Sequence, residues 1–119
     1  MEVLKKKMVL PSLKYYEKHL SIINPMLTVQ LTVKEIQVLA SFLSVGKEMA
    51  SDYRFNSVAK KHVRTALKLK PGGLSNYFRS MVNKKVLLKN EITGAYTIAP
   101  HVLPEEKQQA YTFLIVKDE

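Results

Sequence analysis

The chain has 119 residues, 46% of them apolar, and 19 basic against 10 acidic side chains, which gives a formal charge of +9 and an isoelectric point near 9.8. A chain of this length makes one domain with a core that needs no staples. It has no cysteine, which excludes disulfides, thiolate catalysis and cysteine zinc sites, and no apolar run approaches the roughly 18 residues of a membrane span.

The chain opens MEVLKKKMVLPSL. It lacks the length and small-residue cleavage site of a signal peptide, so a cytoplasmic protein is expected. Residues 2–10 predict a short strand with a basic middle, stopped by Pro11. Residues 12–23 space Leu13, Tyr16, Leu20 and Ile23 three or four apart, which predicts a helix with Ser12 as its cap. Its polar side is barely basic, so no membrane contact is expected. Asn24-Pro25 predicts a turn, and MLTVQL, residues 26–31, a strand.

Thr32-Val33-Lys34-Glu35 is a capping box. A helix follows from Val33 to Val45, with Ile36, Leu39, Ala40 and Leu43 inward and Gly46 ending it. Residues 46–56 form a connection with room for a short helical turn. A second helix runs from Ser57 to Leu69, with Ala59, Val63, Ala66 and Leu67 as its apolar stripe. Lys60, Arg64 and Lys68 repeat every four residues on the opposite side, with Lys61 beside them. Pro71-Gly72-Gly73 reads as a turn. A third helix, Leu74 to Lys85, turns Leu74, Phe78, Met81 and Val82 inward. Val86 to Lys89 and Ala95 to Ala99, joined through Gly94, read as a hairpin. The polar stretch LPEEKQQA suggests a short helix near Pro104, with Glu105 and Glu106 solvated. YTFLIVK, residues 111–117, predicts a last strand. The terminal strands are expected to pair with each other, across a homodimer, or with a protein partner such as a polymerase or virion component.

The charge is unevenly spread. Nine of the 19 basic residues and no acidic one fall between Asn56 and Asn90, leaving ten basic against ten acidic elsewhere. The whole formal excess therefore sits in one 35-residue segment, the electrostatic footprint of a nucleic-acid binder. The alternative is a plain solvated face.

Helix, helix, tight turn, helix and hairpin, in that order, predict an α+β winged helix-turn-helix in a single domain, its core at about 32–100. Ser75, Asn76, Arg79, Ser80 and Asn83 then lie on the outward side of the third helix, as candidate base readers. Arginine can grip guanine and asparagine adenine through paired hydrogen bonds. Lys60, Lys61, Arg64, Lys68, Lys70, Tyr77, Lys84, Lys85 and Lys89 are candidate phosphate contacts. The wing, with Glu91 beside Lys89, is expected to contribute less than the helix.

The stretch LSNYFRSMVNKKVLLKNEITGAYTIAP resembles the recognition helix and wing of winged-helix proteins from mobile elements, both plasmid replication initiators and phage regulators. The resemblance is carried by Ser75 to Leu88 and by Gly94, Tyr96, Ile98 and Pro100. It departs where Ala99 replaces the family's asparagine and Val86 its turn glycine. It implies a fold that binds double-stranded DNA.

No enzyme is expected. His19, His62 and His101 are scattered, no acid pair sits in an apolar context, and Gly72-Gly73 lacks the phosphate-loop pattern. No metal and no cofactor is expected. The sequence thus predicts a DNA-binding transcriptional regulator of phage or plasmid type. The alternatives are a replication-initiation or DNA-packaging accessory and a winged helix that binds only protein.

Overall fold

The computed structural model describes residues 2–48 and 54–118. The described residues form four α-helices and one two-stranded antiparallel sheet, an α+β fold. Among them no helix is long and apolar enough to cross a membrane.

Helix α1 (Ser12–Ile23) packs along α2 (Val33–Glu48). Ser12 is not the cap of α1: Pro11 holds that position without a side-chain hydrogen bond, and the Ser12 hydroxyl accepts from Ser44 Oγ at 3.1 Å. Tyr16, Leu20 and Ile23 are buried as the spacing predicts, but Leu13 is exposed.

The strand expected at 26–31 does not form. Asn24-Pro25-Met26 is a 3₁₀ turn, and the Asn24 side chain takes both backbone groups of Leu31, accepting from its N–H at 2.7 Å and donating to its carbonyl at 3.0 Å. With that amide clamp in place, the end of the segment has no groups left for a ladder.

The capping box of α2 is present on both sides. Thr32 N–H donates to Glu35 Oε1 at 2.8 Å, and Glu35 N–H to Thr32 Oγ1 at 3.1 Å. The helix passes through Gly46 and continues to Glu48. Glycine costs a helix interior only about 1 kcal/mol and stops it only when the backbone turns left-handed. Val38, Leu39, Phe42 and Leu43 of α2 are fully buried, while Ile36 is half-buried. The helical turn allowed for in the 46–56 connection falls partly outside the described residues, and Arg54-Phe55 lie in a turn.

Helix α3 (Ser57–Leu67) starts at Asn56, whose side chain accepts from Ala59 N–H at 2.8 Å. It stops two residues earlier than expected, because Lys68 takes the left-handed conformation, φ 55° and ψ 46°. Leu69 N–H then donates back to the Arg64 carbonyl at 2.8 Å, the C-terminal closure usual after a left-handed residue. Ala66, assigned to the apolar stripe, is exposed; Ala59 and Val63 carry the packing. Asn56→Ala should cost about 1 kcal/mol of stability, read as a lower denaturant midpoint with an unchanged slope.

Helix α4 (Pro71–Asn83) begins three residues before the expected Leu74. Pro71 occupies its first position, where a missing N–H does no harm and the fixed φ suits the helix. Gly72 and Gly73 lie inside the first turn, so they do not set the angle between the helices. Lys68-Leu69-Lys70 do. A Cβ at either glycine would meet nothing within 4 Å, so close packing does not require them. Lys85, at φ 63°, turns the chain out of α4.

Strand β1 (Leu87–Lys89) pairs with β2 (Tyr96–Ile98), with Leu87 opposite Ile98. In the connecting turn Asn90 Oδ1 accepts from the N–H groups of Ile92 and Thr93, and Gly94 provides the positive φ, 73°. One core joins these elements. Phe42, Phe55 and Phe78 stack with centroids 5.0–5.8 Å apart, and Phe78 reaches Tyr96 at 4.7 Å. Val82, expected to be buried, is half-buried.

Neither terminal strand forms. Residues 2–10 and 111–117 are irregular, and LPEEKQQA holds no helix. The C-terminal segment is tied to α1 through His19. The Nε2–H of His19 donates to the Val102 carbonyl at 2.7 Å, since a carbonyl can only accept, and Nδ1 accepts from the Tyr111 hydroxyl at 2.5 Å. Burial lowers the His19 pKa from its ordinary 6.5, and burial, then the Tyr15 hydroxyl, pushes that of Tyr111 up to about 12. Both groups are neutral at pH 7, which leaves Nδ1 of His19 to accept from the Tyr111 hydroxyl.

Candidate nucleic-acid interface

The outward side of α4 is set by the packing of its inward side. Leu74, Phe78 and Met81 are buried, and four-residue steps then leave Ser75, Asn76, Arg79 and Asn83 exposed. Tyr77 is half-buried at the edge of the core. The exposed ridge carries two amides, one guanidinium and one hydroxyl, and no carboxylate.

Ser80 and Lys84 lie on the same helix but are otherwise engaged. The Ser80 hydroxyl donates to Glu35 Oε2 and the Lys84 ammonium to Glu35 Oε1, each at 2.5 Å. Glu35 is 2% exposed. Burial pushes its carboxyl up, but hydrogen bonds from Lys84, Ser80 and the Thr32 N–H, with the Lys84 charge, outweigh it and hold the pKa below its ordinary 4.5. One carboxylate therefore caps α2 and fixes the C-terminal half of α4 against it. This node joins residues 45 and 49 positions apart. The local signal at Glu35 is fully accounted for by the capping box. The remaining cue was Ser80 and Lys84, four apart on one helix face.

Lys61, Lys68, Lys70, Lys85 and Lys89 are exposed, and Lys60 and Arg64 are half-buried. Ser57, Lys60 and Arg64 of α3, Leu74, Ser75 and Phe78 of α4 and Tyr96 of β2 line a cleft of about 260 Å³. Lys60 Nζ lies 5.6 Å from the Phe78 ring centroid and 5.7 Å from that of Tyr96, so the aromatic floor holds the charge at the cleft. Lys89 Nζ is 5.8 Å from the Tyr96 ring on the hairpin side. The cleft thus joins α3, α4 and β2, with Lys60 and Arg64 lining it and Lys89 against the same Tyr96 ring. Glu91 is exposed in the hairpin turn, beside Ile92 at 96% exposure.

Among the described residues no group of three or more histidine, aspartate or glutamate side chains could hold a metal ion. No family model, curated protein or solved structure matches this chain.

Proposed function

We propose that the protein is a winged helix-turn-helix that binds double-stranded DNA, with α2, α3 and α4 as its three helices, α4 as recognition helix and β1–β2 as wing. The observation that carries this reading is that the segment Asn56–Asn90, which spans α3, α4 and β1, has nine basic and no acidic side chains, with a ridge of short polar groups exposed on α4. Basic groups neutralise phosphates and supply affinity. Ser75, Asn76, Arg79 and Asn83 have the chemistry to read base edges in a major groove. The use we assign is transcriptional regulation of phage or plasmid type. Ser80 and Lys84 leave the interface in this reading, because Glu35 holds them.

Base readers and phosphate contacts respond differently to mutation. Sequences selected from a random duplex pool supply the target. On it, Arg79→Ala should cost about 1–3 kcal/mol and relax one base position, while Lys70→Ala weakens all sequences equally. Equal, sequence-independent losses from both would remove the recognition role of α4 and point to a nonspecific packaging function.

A further inference from the structure

We propose that the two terminal segments are exchange arms that pair with those of a second copy of this chain. Residues 2–10 and 112–118 lie in no helix or strand, and none of their backbone groups enters a hydrogen bond among the described residues. Their composition is nonetheless that of strands. Phe113, Leu114, Ile115 and Val116 are 60–93% exposed, and Leu4 and Val9 are 97% and 85% exposed. A run of four apolar residues puts apolar side chains on both faces of an extended chain, and here both faces are exposed.

Lys6, Met8 and Leu10 of the N-terminal segment line a cleft of about 210 Å³ on α1, and Gln109 and Tyr111, just before the C-terminal segment, line it as well. Among the described residues no backbone hydrogen bond joins the two segments.

Charge and area both fit a second copy. An antiparallel register that sets Lys7 opposite Asp118 also sets Val9 opposite Val116 and Leu10 opposite Ile115, with Met8 opposite Lys117 as the one mismatch among these four pairs. Eight large apolar side chains of the two segments are at least half exposed. At roughly 60–120 Å² each, the area implied by 1.5–3 kcal/mol per side chain at 25 cal/mol per Å², they offer on the order of 500–1,000 Å². That brackets the roughly 800 Å² per partner of a stable interface. A two-fold pair would close both arms at once.

The absence of cysteine makes the test clean. Chains carrying Val9→Cys and chains carrying Val116→Cys are mixed in equal amounts and oxidised with a dipyridyl disulfide. The expected product is a covalent pair joining one chain of each kind, with little from either alone. Untreated protein should sediment as a dimer at micromolar concentration, and Ile115→Asp should sediment as a monomer with an unchanged circular dichroism spectrum. Monomeric sedimentation of the unmodified chain would overturn the proposal. So would a doubly substituted chain that closes only within itself, which would show the arms pairing in one copy. The readout uses no DNA, so it stands apart from the DNA-binding reading.

Discussion

Replacing Glu35 by alanine should destabilise the fold by about 3–5 kcal/mol, the usual cost of removing one partner of a buried ion pair. The magnitude follows from what remains. Lys84, with its side chain 19% exposed, would keep its charge without a counterion, Ser80 would lose its acceptor, and α2 would lose half its capping box. For a domain of this size the melting temperature should fall by on the order of 15 °C. A paired change, Glu35→Leu with Lys84→Met, should recover much of the loss, because apolar replacement of both partners leaves no buried charge. A single variant that melts within a few degrees of the parent would show that the node is not what fixes α4 against α2.

The same residue predicts a pH dependence. Glu35 has a folded pKa below its ordinary 4.5. Its contribution is therefore complete above about pH 4.5 and is lost as pH falls through the lower folded value. His19 acts in a higher window. Its folded pKa lies below the ordinary 6.5, so the unfolded chain binds more protons as pH drops from about 6.5, and stability falls there too. Glu35→Gln should remove the slope below pH 4.5 that Glu35 contributes and leave the slope below pH 6.5. Loss of both slopes in that variant would contradict the assignment.

Changing Lys61, Arg64 and Lys68 together to alanine should abolish most DNA affinity at physiological salt while leaving the fold intact. Each phosphate that is no longer neutralised should flatten the slope of log affinity against log salt by about 0.9, or roughly 2.7 for the three. Folding should be unharmed. Lys61 and Lys68 are exposed and Arg64 half-buried, and like charges three or four apart on a helix repel by about 0.2–0.5 kcal/mol per pair, so their removal eases strain in α3. A variant that melts like the parent and keeps the parental salt slope would place the DNA-binding surface elsewhere.

What the sequence made legible was local. The capping box at Thr32 and Glu35, the four-residue spacing of α3 and α4 and the glycine turn of the hairpin each needed only near neighbours, and each formed. The boundaries that moved involve residues with two uses. Proline breaks a helix interior but opens a first turn, so Pro71 begins α4. Glycine ends a helix only in the left-handed region, so Gly46 is carried along while Lys68 does the stopping. Strand formation at 26–31, at 2–10 and at 111–117 depends on a partner, which composition does not specify. Asn24 preempted the first by clamping Leu31. The site was legible to the extent that burial of Leu74, Phe78 and Met81 turns Asn76 and Arg79 outward. The engagement of Ser80 and Lys84 with Glu35 was not legible, because it spans 45 or more positions.

If the basic surface of α3, α4 and β1 binds duplex DNA, salt must weaken that binding steeply. Fluorescence anisotropy against a labelled random duplex pool, titrated with salt, is the deciding experiment. With six or more phosphates neutralised, affinity should fall by on the order of a thousandfold between roughly 50 and 200 mM salt. No binding at 50 mM, or binding indifferent to salt, would overturn the DNA-binding reading and leave the cationic run as a solvated face.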